Sequence, residues 1–267
     1  PVDETSTGPT RTMGENMKIK WIAVILLAMS FSAPALADGA DVTAPVTQFF
    51  AKRSGISLRA IVYRPQDWRP RERRPAVVIF NGLGWTKGQP DWSEPYAKHY
   101  ASKGLIAISA QYRLSQGNVT PLDAIADASD AIRWVRANSA ALSIDPSRIA
   151  AHGLSVGGLL VVSAAQFDGN SSVSPIPNAL ILYSPILDAE KDPVVQSLLG
   201  EKAQAASIPP LLKIRPKMPP TIILQGDVDT VAPFASAQQF CAKMKEIGNR
   251  CELNKYMYMG HLFTPKG

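Results

Sequence analysis

Apolar residues in this chain gather in short unbroken runs, separated by polar turns and by stretches of helical spacing. The run at 76–80, Ala-Val-Val-Ile-Phe, holds no polar position, which predicts a strand covered on both faces, as in a parallel sheet. The runs at 105–110, 179–183 and 221–224 read as further strands, and the mixed stretch 251–256, Cys-Glu-Leu-Asn-Lys-Tyr, as a last one. Ahead of them, 46–50 and 56–63 read as an opening hairpin whose second arm is rich in β-branched and aromatic residues. Helical spacing covers 93–103, closed by Gly104 as a C′ glycine, then 123–138, with Ala126, Ala131, Trp134 and Val135 on one side, and then 233–247. Strands alternating with helices after an antiparallel start predict the α/β class, with a mostly parallel central sheet and helices on both faces. Residues 184–219 have no regular period and many prolines, so an irregular cap over the functional site is expected there. No internal repeat and no linker divides 38–267, which reads as a single domain.

One junction stands out. At 149–161 an apolar run ends at Gly153, Ser155 follows, then Gly157 and Gly158, then apolar residues of helical character. Gly153-Leu154-Ser155-Val156-Gly157 fits the G-x-S-x-G nucleophile elbow, a serine at the apex of a sharp strand-to-helix turn. The spacing has a steric cause. A serine thrust out of such a turn is strained, and its neighbours at minus two and plus two crowd adjacent chain, where a Cβ would collide. The helix that starts just after Ser155 aims free backbone N–H groups at any oxyanion formed near the hydroxyl.

A serine hydroxyl is a poor nucleophile near neutral pH and needs an adjacent base, normally histidine. The chain has three histidines. His99 falls in a surface helix. His152 ends the elbow strand and points into packing, from where it cannot easily fold back onto Ser155. His261 is left, in a loop after the last strand. The base needs a carboxylate to fix its tautomer. Asp227 and Asp229 both follow the 221–224 strand, in Gln225-Gly226-Asp227-Val228-Asp229-Thr230-Val231-Ala232-Pro233, at the sheet edge where open α/β folds bind ligands.

Several stretches, in order, now carry a resemblance. Phe80-Asn81-Gly82-Leu83-Gly84-Trp85 resembles an HGGGW oxyanion loop, and Tyr112-Arg113-Leu114 the Y-R-L after the next strand. Asp130 to Arg136, with Ile144 to Ile149, resembles the helix and turn that lead to the elbow. Gly226 to Pro233 resembles a G-x-x-D-x-x-V-P acid loop, and Gly260-His261-Leu262-Phe263 a G-H-x-F histidine loop. Over about Ser57 to Phe263 the chain is similar to the α/β-hydrolase superfamily, in the esterase/lipase branch of hormone-sensitive-lipase-like and bacterial feruloyl- or acetylxylan-esterase-like proteins. The resemblance implies the α/β-hydrolase fold and serine esterase chemistry through an acyl-enzyme, with Ser155, Asp229 and His261 as the triad. It implies backbone donors at Leu83, Gly84 and Val156 as the oxyanion hole, and no cofactor. Asp227 is the runner-up for the acid.

Three departures matter. Asn81 and Leu83 stand where the family has histidine and glycine. Gln225 replaces a common histidine before the acid loop, at a position that is structural in the family. The chain ends six residues after His261, where relatives continue into a last helix; either the sequence is a fragment or that final C-terminal helix is missing, and the His261 loop is then expected to have little support.

Composition adds compartment and partners. Met17-Lys18-Ile19-Lys20, the apolar 21–29 stretch and Ala35-Leu36-Ala37 form the three parts of a signal peptide over 17–37. Cleavage is expected after Ala37, giving a secreted or periplasmic domain with no stable membrane span. Residues 1–16 read as an upstream extension with no structural part. The net charge of +6 has no basic block interleaved with aromatics, so no nucleic-acid partner is expected. Two cysteines are too few for a disulfide scaffold or a four-cysteine zinc site, and no metal is expected. Cys241 and Cys251 either pair, tying the helix after the acid loop to the strand that delivers His261, or stay as buried thiols; the sequence leaves both open. It leaves the oligomeric state open too. The expected substrate is a small-molecule or polysaccharide ester, with acylated plant carbohydrate an analogy only. Two other readings use the same residues: a serine peptidase of this fold, and a non-catalytic binding protein on a hydrolase scaffold.

Overall fold

The opening hairpin forms because Ser54 and Gly55 both take left-handed φ, 47° and 82°, the turn that matches strand twist. It joins β1 (Val46–Arg53) antiparallel to β2 (Ile56–Tyr63). β3 (Arg74–Phe80), β4 (Ile106–Ala110), β5 (Ile144–Leu154), β6 (Ala179–Tyr183), β7 (Thr221–Gly226) and β8 (Cys251–Tyr256) complete one sheet of order β1-β2-β4-β3-β5-β6-β7-β8. β2 pairs antiparallel with β4, and every later pairing is parallel. This is a computed structural model that describes residues 43–82, 84–166, 172–189, 192–199 and 213–264. The signal-peptide stretch with its cleavage point at Ala37, the 1–16 extension and Leu83 lie outside the described residues. Among those described, no helix is long and apolar enough to cross a membrane.

The unbroken apolar run of β3 is explained by its two covered faces. Ala76, Val78 and Phe80 point into the larger core layer, with α2 (Pro121–Ala137) and α4 (Val156–Gln166). Val77 and Ile79 point the other way, onto Ala97 and Ala101 of α1 (Glu94–Ser102). A short α3 (Ser139–Leu142) leads into β5, and α6 (Phe234–Glu246) buries Phe240 and Met244 in the larger layer. α2 begins where Thr120 and Asp123 form a capping box ahead of Pro121, the Thr120 N–H donating to Asp123 Oδ2 at 2.8 Å. Its buried face matches the expected one at Ala131 and Val135, with Trp134 half-buried, but not at Ala126. Ala126 is exposed, and Ala124, Ile125, Ala128, Ala131, Ile132 and Val135 turn inward. Asp127 is buried on that side too, where its carboxylate accepts Arg113 Nε and Nη2 in a bidentate pair at 2.8 and 2.9 Å.

The stretch expected to be wholly irregular contains α5 (Pro193–Leu199). Its start signal is Asp192-Pro193: the Asp192 carboxylate accepts the N–H groups of Val194 and Val195 at 2.8 and 3.2 Å, a first-turn cap on a helix too short to show a period. Residues 190–191 and 200–212 of that stretch lie outside the described residues. Chain order reverses between β3 and β5, so the loops leaving those two adjacent strands diverge at the sheet's C-terminal edge, the place where an open α/β sheet makes a crevice.

Candidate active site

Ser155 stands between β5 and α4 with φ 53°, a left-handed backbone that costs a serine of order 1–2 kcal/mol. Three backbone hydrogen bonds hold it there. Its N–H donates to Tyr183 O at 2.9 Å, and its carbonyl accepts Gly158 N–H at 3.0 Å and Ile186 N–H at 3.1 Å. The flanking glycines are required by close approach. A Cβ on Gly153 would lie 2.2 Å from Gly157 O, and one on Gly157 would lie 2.2 Å from Phe80 O of β3.

His261 reaches the serine from the loop after β8. Its Nε2 is 3.0 Å from Ser155 Oγ, and its Nδ1 is 2.9 Å from Asp229 Oδ2. The carboxylate can only accept, so Nδ1 carries the proton and the lone pair of Nε2 faces the hydroxyl. The second carboxylate oxygen, Oδ1, accepts Val231 N–H and Ala232 N–H, both at 2.9 Å. Burial pushes the Asp229 carboxyl up. The hydrogen bonds from His261 and from the Ala232 and Val231 N–H groups outweigh it and hold the group below the usual carboxylate range. Asp227 does other work: its Oδ1 accepts Tyr258 N–H at 2.7 Å and its Oδ2 faces Lys255 at 3.4 Å, closing the turn after β8. The structure therefore brings Ser155, His261 and Asp229 together and leaves Asp227 outside the group.

The His261 loop is well braced, against the expectation from sequence. Phe263 packs edge-on to Tyr183 and Tyr256, with centroids 5.9 and 5.0 Å apart. Gly260 N–H donates to Thr264 O at 2.8 Å, and Val228 N–H donates to Met259 O at 3.2 Å, tying the acid loop to the histidine loop. β8 is itself joined to α6 by a Cys241–Cys251 disulfide with Cα atoms 5.4 Å apart.

Ser155 and His261 open onto a cavity of about 500 Å³, walled largely by apolar residues that include Trp85, Ile186, Leu187, Val194 and Leu262. Gly84 and Val156, both expected oxyanion donors, line it beside Ser155. Val156 is the first residue of α4, so its N–H has no acceptor within the helix. The loop that leads to Gly84 is pinned at Asn81, whose Nδ2 donates to Gly82 O at 2.9 Å and whose carbonyl accepts the Tyr112 hydroxyl at 3.2 Å.

Residues 77–211 match a family model for the alpha/beta hydrolase fold. The chain belongs to the α/β-hydrolase family, in its esterase/lipase branch. A solved thermophilic esterase of Thermogutta terrifontis, Est2, is 33% identical to this hydrolase, with a TM-score of 0.75 over 84% of this chain and 85% of that one. The same esterase with propionate bound matches at 34% identity and TM-score 0.75, over 82% of this chain and 85% of that one. Carboxylesterase NlhH of Mycobacterium tuberculosis is 37% identical over 119 residues, 43% of this hydrolase. The matched stretch spans 37% of that curated relative's length.

The cap expected over 184–219 does supply a wall of the site, through Pro185 to Leu187 and α5. What sequence reasoning passed over is Gln225, read as structural. Its signal was a polar residue at the end of an otherwise apolar strand, four positions before Asp229.

Proposed function

We propose that this hydrolase is a carboxylic ester hydrolase that works through an acyl-enzyme on Ser155. The observation that carries the reading is the relay from Ser155 Oγ to His261 Nε2 at 3.0 Å and from His261 Nδ1 to Asp229 Oδ2 at 2.9 Å, opening on an apolar cavity. As Ser155 Oγ attacks the ester carbonyl carbon, its proton passes to His261 Nε2, and Asp229 stabilises the imidazolium formed. The carbonyl electron pair moves onto oxygen, which is held by the N–H groups of Gly84 and Val156, with Leu83 as the third donor on sequence grounds. When the pair returns, the C–O bond to the alcohol breaks and the alkoxide leaves with the proton from His261. Water then gives a proton to His261 and attacks the acyl carbon. Ser155 Oγ leaves with that proton and the carboxylic acid is released.

The cavity supports a short acyl group. Its walls are mainly apolar, and the Thermogutta esterase solved with propionate bound is consistent with an acid product of that size. Export through a signal peptide cleaved after Ala37 belongs to this proposal, as does the acylated-carbohydrate substrate drawn by analogy. The apolar lining gives the carbohydrate less support than it gives a small ester.

A p-nitrophenyl ester series from acetate to decanoate, run beside acetylated xylan, tests the substrate. Turnover should peak at short acyl chains; a peak at decanoate, or release of acetate from xylan alone, would overturn the short-ester reading. A fluorophosphonate should label Ser155, with Ser155→Ala neither labelled nor active beyond a trace and still folded. Activity retained in that variant would mean another nucleophile.

A further inference from the structure

Gln225 lies in β7, which is hydrogen-bonded on both sides, to β6 and β8, and its side chain has no exposed surface. Its Nε2 is 2.8 Å from Asp229 Oδ2 and 2.9 Å from Ala232 O. A carboxylate and a carbonyl can only accept, so the –NH2 end of the amide must face them, and the flipped amide would set oxygen against both. Asp229 Oδ2 is thus shared by two donors, His261 Nδ1 from the loop side and Gln225 Nε2 from the sheet side.

The two backbone N–H groups on Oδ1 hold one end of the carboxylate but leave Oδ2 free to swing about it. The His261 ring is the group to be oriented, so the fixed reference for Oδ2 has to come from elsewhere, and Gln225 stands on a strand paired to both of its neighbours. We propose that Gln225 is a positioning residue for the reaction: from the rigid end of β7 it fixes Asp229 Oδ2, and through it the ring of His261 facing Ser155. Its second bond, to Ala232 O, closes the acid loop against the same strand. Its Oε1 meets no donor among the described residues, so what the amide supplies is its –NH2 end. Losing that end leaves Asp229 Oδ2 and Ala232 O each one donor short, which costs some stability. The loss in turnover should exceed what that cost explains and should return with the donor. This inference rests on the esterase reading above.

The test is Gln225→Met, which keeps volume and removes the donor, with Gln225→His as the variant that restores one. With p-nitrophenyl acetate, Gln225→Met should lose about tenfold or more in kcat with KM within about twofold. Its melting temperature should stay within a few degrees of the parent, and Gln225→His should recover most of the lost kcat. The low-field proton resonance of His261 Nδ1 should broaden or move upfield in the Met variant. A parental kcat with an unmoved resonance, or a kcat loss matched by a collapse in melting temperature, overturns the proposal. The unsubstituted protein gives a check that needs no folded variant. The Gln225 side-chain amide protons should exchange slowly and shift when a phosphonate adduct forms on Ser155; amide signals indifferent to the adduct overturn it. Failure of the unsubstituted protein to be labelled sinks the esterase reading and this proposal together, whereas normal labelling with parental turnover in Gln225→Met sinks this proposal alone.

Discussion

Asp229 and Asp227 are two positions apart on one loop, and their surroundings give them different tasks. Asp229 is almost wholly buried and receives four N–H donors, one of them from the His261 ring. Asp227 binds a backbone N–H and a lysine on the outer side of the loop. Asp229→Asn turns an acceptor into a group that can present N–H to His261, which favours the wrong tautomer; kcat should fall by about 10³–10⁴-fold. Asp227→Asn should stay within about threefold, because it weakens only an exposed pair and one turn bond. Steady-state kinetics of both variants check this, and a larger loss in Asp227→Asn would show the acid loop to be misread. The elbow serine stood out by its spacing, His261 was reached by elimination among three histidines, and Asp229 was preferred to Asp227 through the resemblance of the acid loop; the structure brings the three together. Gln225 was not legible, since its role depends on which side chain lies across a loop, and no spacing encodes that.

At the scale of elements, strand runs were legible wherever both faces of the sheet are covered, because burial on two sides removes polar positions altogether, as in β3. The helix faces were less so. Ala126 was placed inward on the apolar count, but it is exposed, while the Asp127 carboxylate beside it is buried against Arg113. A charge in the core runs against the pattern that periodicity uses. α5 escaped because a helix of seven residues has too few turns to display a period. The α6–β8 pair carries a testable consequence. The Cys241–Cys251 bond closes a ten-residue separation, and the loop-entropy argument gives it about 2–3 kcal/mol. Reduction, or the double change Cys241→Ser with Cys251→Ser, should lower the melting temperature by roughly 4–10 °C for a domain of this size. β8 leads directly into the His261 loop, so turnover at a fixed temperature near melting should fall in parallel. Scanning calorimetry with and without reductant measures it, and an unchanged melting temperature would mean the bond adds nothing to the folded state.

For the molecule as a whole, one group that ties stability to acid pH is His152. It lies in β5, fully buried, with its ring stacked on Tyr183 at 4.8 Å and set against Tyr96 at 5.0 Å. The Tyr100 hydroxyl is 2.9 Å from its Nδ1. No carboxylate is among these contacts, so nothing offsets the cost of charging the ring, and burial pushes its pKa down to about 3. The unfolded chain has no such restriction and takes up a proton around 6.5, the ordinary imidazole value. Between 6.5 and about 3 the unfolded state binds more protons than the folded one, so stability falls as the pH is lowered through that window. The slope approaches about 1.4 kcal/mol per pH unit once the unfolded histidine is mostly protonated. The Asp229 carboxyl, held low in the folded state, acts the same way but only at more acid pH, where an unfolded aspartate begins to protonate at around 4. At pH 4.5 the loss due to His152 is then about 2–3 kcal/mol, which is several degrees of melting temperature for a domain of this length. His152→Phe keeps the stack on Tyr183 and removes the titration. The variant will be less stable at pH 7, where the Tyr100 hydroxyl loses its partner. Its melting temperature should nonetheless drop less between pH 7 and pH 4.5 than that of the parent. Parallel melts at the two pH values decide the matter: equal drops in parent and variant would show that the acid sensitivity arises elsewhere.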